Sequence, residues 1–177
     1  MARTEVLISG FGGQGVVRIG QTLGLAGVKA DLNATMLKSH GTETRGGYVR
    51  TQVVLSDGII DSMATEHPAI FVAMSKAAYQ KFYKLSGVDS IIFYDPAYVE
   101  PVDDAKGRQI PIPARKLSME HFGKELFTNM IIYGKVIRSL NGLISVEAAK
   151  NALVETIPRA IDDNLKAFDL GYDILDI

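Results

Sequence analysis

No cysteine occurs among the 177 residues of this chain. Thiolates hold most iron–sulfur clusters and much structural zinc, and the thiol is itself a nucleophile. Their absence closes all three kinds of chemistry. Any electron carrier in a redox role must belong to another molecule. Tryptophan is absent too, and the 3 histidines, His40, His67 and His121, show no metal-ligand spacing. There is little excess charge: 19 Lys and Arg face 20 Asp and Glu, a formal net charge of -1. No bulk electrostatic pull toward nucleic acid or an anionic membrane follows. The longest apolar runs reach about half of the ~20 residues that cross a bilayer. Met1-Ala2-Arg3-Thr4-Glu5 leads straight into a strand-like run. It lacks the basic region, apolar stretch and cleavage site of a secretory signal, so we expect a cytoplasmic protein.

What is present suits one domain spanning residues 1–177. A chain of this length buries roughly 70% of the surface its unfolded form exposes, with no disulfide or metal needed. Against a composition that is 47% hydrophobic, two segments stand apart. Ser39-His40-Gly41-Thr42-Glu43-Thr44-Arg45-Gly46-Gly47 contains no aliphatic residue. Two or three residues suffice to reverse a chain, so a polar stretch of this length reads as a surface built to meet something. Gly10-Phe11-Gly12-Gly13-Gln14-Gly15 lies one strand and one helix earlier. That interval lets both segments share one edge of a sheet.

The hydrophobic pattern predicts an α/β fold: a three-layer, Rossmann-like mixed sheet with helices on both faces, an antiparallel hairpin and C-terminal helices. Strands are expected at Glu5–Ser9, Asn33–Lys38, Tyr48–Ser56, Ala69–Met74 and Ser90–Tyr94, with a short edge strand at Gln109–Pro113. Asp57-Gly58 is a turn signal, and Ile59-Ile60-Asp61 is expected to pair back on the preceding strand. Helices are expected at Gln14–Lys29, Ser75–Tyr83, Ala114–His121 and Phe127–Leu140, then from Ser145 to about Thr156. Ser75 serves as an N-cap, and Asn141-Gly142 as a stop. Pro158 opens the last helix, which runs to about Gly171. Gly20, Gly24 and Gly27 share a helix face, and the spacing suggests close packing against a neighbour.

Gly10-x-Gly12-x-x-Gly15 fits a dinucleotide fingerprint, with a strand before it and a helix after. Such a loop brings phosphate to the backbone N–H groups of a helix N-terminus. The confirming carboxylate belongs at the far end of the second strand. Asp31 precedes that strand, whereas Ser39 and His40 end it. Three readings stay open: a nicotinamide or flavin site, a tight structural turn, or a loop that meets a phosphate or a partner protein.

Both segments together, in this order and spacing, resemble the gamma subunit of 2-oxoacid:ferredoxin oxidoreductases. The family pattern is Gly-x-Gly-Gly-Gln-Gly, then Ser-Tyr-Gly-Pro-Glu-Ala-Arg-Gly-Gly after the second strand. Further matches are Val53-Val54-Leu55-Ser56-Asp57 with Ile60-Asp61, Val72-Ala73-Met74-Ser75, and Asn129-Met130 with Gly134. Asn164-Leu165-Lys166-Ala167-Phe168 and Gly171-Tyr172 complete a likeness over nearly the whole chain. His40, Thr42 and Thr44 depart from the pattern, replacing Tyr, Pro and Ala.

The resemblance implies a complex that converts a 2-oxoacid, coenzyme A and oxidised ferredoxin to acyl-CoA, carbon dioxide and reduced ferredoxin, with 2-oxoglutarate slightly favoured. It implies alpha and beta partners, and in some complexes delta. Thiamine diphosphate, magnesium and iron–sulfur clusters are then held by those partners. For this chain it implies assembly and a contribution to the coenzyme A path, with no catalytic residue, no metal and no activity in isolation. Contact with ferredoxin is then indirect, and the isolated chain could pair with itself.

The site implied comprises Gly10, Gly12, Gly13, Gln14, Gly15, Ser39, His40, Gly41, Thr42, Glu43, Arg45, Gly46 and Gly47, for cofactor contact or for an interface. Arg45 can clamp a phosphate or carboxylate, or pair with Glu43 or a neighbouring subunit. Ser39 and Thr42 read as turn formers. Tyr48 and Arg50 share a strand face that extends the contact surface. A self-sufficient NAD- or FAD-binding oxidoreductase domain is an alternative, tested by a bound chromophore or by NAD calorimetry. A nucleotide-binding regulatory module is another, tested by co-purification.

Overall fold

The computed structural model describes residues 3–40 and 47–175. Six strands form one sheet in the order β2-β3-β1-β4-β5-β6. These are β1 (Arg3–Phe11), β2 (Asn33–His40), β3 (Tyr48–Ser56), β4 (Ile70–Ala73), β5 (Ile91–Tyr94) and β6 (Arg108–Pro111). β1, β4, β5 and β6 run parallel, while β3 is antiparallel to both β1 and β2. The helices are α1 (Val16–Lys29), α2 (Lys76–Phe82), α3 (Ala114–Phe122), α4 (Thr128–Ser139), α5 (Val146–Thr156) and α6 (Ile161–Tyr172). None is long and apolar enough to cross a membrane.

Strand parity divides the core. Val6, Ile8, Val53, Leu55, Ile70, Val72 and Phe93 face the layer that contains α1, α4, α5 and α6. Leu7, Phe71, Ala73 and Ile92 face a thinner layer built on Tyr79 and Phe82 of α2 and on Val99. β1 is buried on both faces, which is why its sequence shows a continuous apolar run instead of alternation. The thin layer is completed by irregular chain. Gln52 Oε1 accepts from the N–H and the hydroxyl of Thr65, both at 2.9 Å. Glu5 Oε2 accepts from the N–H groups of Glu66 and His67 at 2.9 and 3.1 Å. Those bonds fasten the connection between β3 and β4 over the sheet.

Two expectations fail at this level. Ile59-Ile60-Asp61 forms no strand, because Ser56 of β3 is already flanked by Arg3 of β1 and Asn33 of β2. With both edges of β3 taken, no ladder is open to a returning segment. The antiparallel hairpin is β2–β3 instead. Pro158 does not open the last helix, which begins at Ile161 after Ala160 in a left-handed conformation (φ 47°). The residue before a proline is driven out of the helical region, and Ile157 lies outside it at ψ 77°. Asn164 Nδ2 then donates to the Arg159 and Ala160 carbonyls, both at 3.0 Å, and stabilises the turn. The serine caps agree with expectation: Ser75 Oγ accepts from Ala78 N at 3.2 Å, and Ser145 Oγ from Ala148 N at 3.1 Å.

The thick layer depends on bare helix backbone. α4 is buried along Met130–Ile137, and α6 crosses it at Gly134 and Gly171. A methyl on Gly171 would meet the backbone of Ile131, and one on Gly134 the backbone of Phe168. In α1, Gly20 abuts Thr51 and Gly27 abuts Leu55, as the spacing suggests. Gly24 abuts nothing within 4 Å, so close packing does not explain it. Two substitutions of the same kind should therefore differ in sign. Gly171→Ala gains about 1 kcal/mol of helix propensity but forces two backbones apart, a net loss of about 1–3 kcal/mol. Gly24→Ala keeps the propensity gain. Thermal unfolding should fall by about 2–4 °C per kcal/mol for the first and rise slightly for the second.

Candidate functional site

β1 leads into α1 on the thick face, whereas its parallel neighbour β4 leads into α2 on the thin face. Connections that leave adjacent parallel strands toward opposite faces open a crevice beyond their carboxyl ends. The glycine turn lies in that crevice. Gly10 and Phe11 belong to β1, so the turn proper is Gly12–Gly15. Gln14 holds it closed: Oε1 accepts from Phe11 N at 2.6 Å and Nε2 donates to Met74 O at 2.9 Å. One side chain thus ties the end of β1 to the end of β4. Gly13 and Gly15 adopt φ of 91° and 79°, a region that side-chain-bearing residues rarely enter. Gly15 caps α1 with no side-chain bond and no acid in the first turn. The leading N–H groups of a helix carry the positive end of its dipole, and a start of this kind can receive an anion.

A cleft of about 720 Å³ lies on one side of this turn. Gln14 and Gly15 form one wall, Thr128 and Asn129 at the start of α4 another, and Arg159 and Asn164 a third. Asn129 packs directly against Gly15. Its Oδ1 is buried with no hydrogen-bond partner among the described residues. Arg18 lines the cleft and is fixed by a 2.8 Å bond from Nη1 to the Thr156 carbonyl. On the other side of the turn a smaller recess of about 380 Å³ is bounded by Phe11, Gly12, Gly13, Gln21, His40 and Val49.

That recess brings together parts of both sequence segments. β2 runs in the same direction as β1, so His40 and the glycine turn lie at one carboxyl edge. Tyr48, just beyond the other end of the polar segment, pairs with Phe11. Gly41, Thr42, Glu43, Thr44, Arg45 and Gly46 lie outside the described residues, so the roles read for Thr42, Glu43 and Arg45 stay expectations. Ser39 is a strand residue, not a turn former, and His40 ends the same strand. Ser39 Oγ accepts from Arg50 Nε at 2.7 Å. Arg50 also lies over the Phe82 ring at 5.4 Å, and Tyr48 meets the same ring edge-on at 4.9 Å. Both are therefore committed to packing on α2 more than to an outer contact surface. Asp31 sits before β2, a full strand length from the glycine turn, which disfavours it as a ribose ligand.

Sequence reasoning passed over the far wall of the cleft. Asn129 stood out only as a matching residue, and Arg18 and Arg159 carry no local signature. A third cluster lies at the rim. Arg115 Nη2 pairs with Glu125 at 2.7 Å and its guanidinium lies over Tyr98 at 5.8 Å. The hydrogen bond from Arg115 lowers the pKa of Glu125, while burial, followed by the nearby Glu125 charge, raises that of Tyr98. Asp95 is buried just after β5. It accepts from Ala97 N at 2.9 Å and from Arg115 N at 2.8 Å. Burial raises its pKa, outweighing the two backbone donors that lower it. No group of three or more metal-ligating side chains occurs among the described residues.

Comparison with known proteins places this geometry. A family model described as pyruvate ferredoxin/flavodoxin oxidoreductase matches residues 5–174. The 2-oxoglutarate synthase subunit KorC of Methanothermobacter thermautotrophicus is 34% identical, over 98% of this chain and 95% of that protein. Among solved structures, the gamma subunit of a keto/oxoacid ferredoxin oxidoreductase from Geobacter sulfurreducens superposes with a TM-score of 0.82. It is 26% identical, and 96% of each chain is covered. A 2-oxoglutarate:ferredoxin oxidoreductase from Magnetococcus marinus, with 2-oxoglutarate, coenzyme A and succinyl-CoA bound, gives a TM-score of 0.85 at 23% identity. It covers 100% of this chain and 32% of that one, and at this identity it speaks for the fold alone.

Two outcomes check the site. Gly15→Ala should destabilise by about 1–2 kcal/mol, since alanine resists the left-handed region and would press on Asn129. Gly12→Ala, with open space at its Cβ, should leave the melting temperature unchanged. For Asp95, a raised folded pKa means that the folded state keeps a proton the unfolded state has lost. The stability it adds is complete below about pH 3.9 and disappears as pH rises through the folded pKa. Asp95→Asn should flatten that downward slope in a melting-temperature profile against pH. An unchanged slope would show that Asp95 does not cause it.

Proposed function

The chain belongs to the pyruvate ferredoxin/flavodoxin oxidoreductase family, and on that premise we propose that it is the gamma subunit of a 2-oxoacid:ferredoxin oxidoreductase, with 2-oxoglutarate the favoured substrate of the assembled enzyme. The relative at 34% identity bears a 2-oxoglutarate synthase name and is matched over nearly its full length. This supports the choice of substrate, and it supports reading residues 1–177 as a single gamma domain. The structural observation that carries the proposal is the convergence at one carboxyl edge. The glycine turn, His40 and Tyr48 meet there.

In this reading the edge is an interface. Gly12–Gly15 and the open start of α1 receive an anionic group, and the diphosphate of coenzyme A suits the N–H array. Arg18 and Arg159 add positive charge on the walls of the cleft. His40, Thr42, Glu43 and Arg45 complete the surface that meets the alpha and beta subunits, or delta where the complex has one. Thiamine diphosphate, magnesium and the iron–sulfur clusters belong to those partners. This chain has no thiolate to offer a cluster, so its residues do not fit one. Its role is to position, in a cytoplasmic complex, and ferredoxin is met only through the partners.

Activity measurements test the reading. The purified chain, given 2-oxoglutarate, coenzyme A and ferredoxin, should reduce no ferredoxin. Added to a complex assembled without it, the chain should restore turnover. Reduction by the chain alone, or full turnover by the complex that lacks it, would refute the proposal.

A further inference from the structure

The turn that ends α4 has a chemistry of its own. Leu143 N donates to the Leu140 carbonyl at 3.0 Å, and the residues between them, Asn141 and Gly142, adopt φ of 50° and 86°. Positive φ at both central positions marks a type I′ turn, which favours this pair of residues. Both are exposed. Among the described residues, neither the Asn141 side chain nor the Gly142 N–H makes a hydrogen bond. An unheld carboxamide therefore stands next to an unheld backbone nitrogen. The other asparagines, Asn33, Asn129, Asn151 and Asn164, lie within β2, α4, α5 and α6, and a residue with a side chain follows each. Asp57-Gly58 has the same spacing of groups, but there Gly58 N donates to Ser56 Oγ at 3.0 Å.

We propose that Asn141 is a site of spontaneous deamidation in the folded chain. Gly142 N attacks the side-chain carbonyl carbon of Asn141. A carbon–nitrogen bond forms and closes a cyclic imide. The bond from that carbon to Nδ2 breaks, and the nitrogen leaves as ammonia with the proton from Gly142 N. Water then opens the imide. Opening at the side-chain carbonyl leaves aspartate, and opening at the main-chain carbonyl leaves isoaspartate. The attack requires rotation about the bonds that join Asn141 to Gly142, and a glycine resists this least. Isoaspartate lengthens the main chain by one carbon inside the turn. Either product puts a carboxylate at the carboxyl end of α4, where the helix dipole is negative. Ile144, 2% exposed, and the Ser145 cap of α5 lie directly beyond. Conversion thus loosens the join between α4 and α5. Asn141 lies with Ser90 and Arg108, where β5 and β6 begin, so the inference stands whether or not the glycine-turn edge meets a partner.

Peptide mapping of the full chain, aged while folded in a mildly alkaline buffer, tests the proposal. Trypsin releases Ser139–Lys150, in which Asn141 is the one asparagine. We expect aspartate and isoaspartate to accumulate there about tenfold faster than at the other asparagines. The converted chain should melt a few °C below the fresh one, whereas Asn141→Gln, compared with its own fresh sample, should age without that fall. Conversion of Asn141 only after denaturant unfolds the chain would overturn the proposal, because the turn would then protect it. Equal conversion at the other asparagines would do the same, as would a converted chain that melts like the fresh one.

Discussion

The parallel pairing of β1 with β4 is the constraint on which the rest depends. Each strand ends in a connection that leaves for a different face, which opens a crevice beyond their carboxyl ends. Gln14 spans it with two bonds, one to each strand end. That bridge sets the glycine turn at a fixed height above the sheet. α1 then starts after Gly15, which supplies no side-chain cap to its first N–H groups.

The two layers do different work. The thick layer owes its rigidity to α4, whose helix backbone is approached so closely by α6 that two glycines are required at the crossing. α4 is buried along Met130–Ile137, and its two ends reach both edges of the sheet. Asn129 meets the glycine turn, while Lys135 and Arg138 line a hollow where β5 and β6 begin. The thin layer is held by polar fastenings. Tyr79 hydrogen-bonds Gln109, whose Nε2 donates to the Val102 carbonyl at 2.8 Å, and Val102 N donates to the Tyr79 hydroxyl at 3.0 Å. Such bonds hold irregular chain on the sheet where apolar area is too small to do so.

Much of the architecture was legible before any coordinates. β3 falls where its alternation predicts, and the helix starts at Ser75 and Ser145 carry their caps in the sequence. The misses have specific physical causes. Ile59-Ile60-Asp61 follows a strong turn signal, but a turn signal cannot report that β3 is already flanked on both sides. Pro158 resembles a first-turn proline, yet its steric effect falls on Ile157 and delays the helix. Gly24 lies between Gly20 and Gly27 along α1, but periodicity does not report that its own position opens on empty space where the other two meet Thr51 and Leu55.

Local chemistry decided what the sequence could fix alone: the α/β class, the strand and helix starts that carry caps or turns, and the exclusion of thiolate cofactors by the lack of cysteine. These follow from interactions within a few residues, or from an inventory. The tertiary structure decided which distant residues became neighbours. Asn129 against Gly15 and Arg18 on Thr156 are set by strand order and helix crossing. No window of neighbouring residues encodes such contacts, since they arise only when separate layers close on one another.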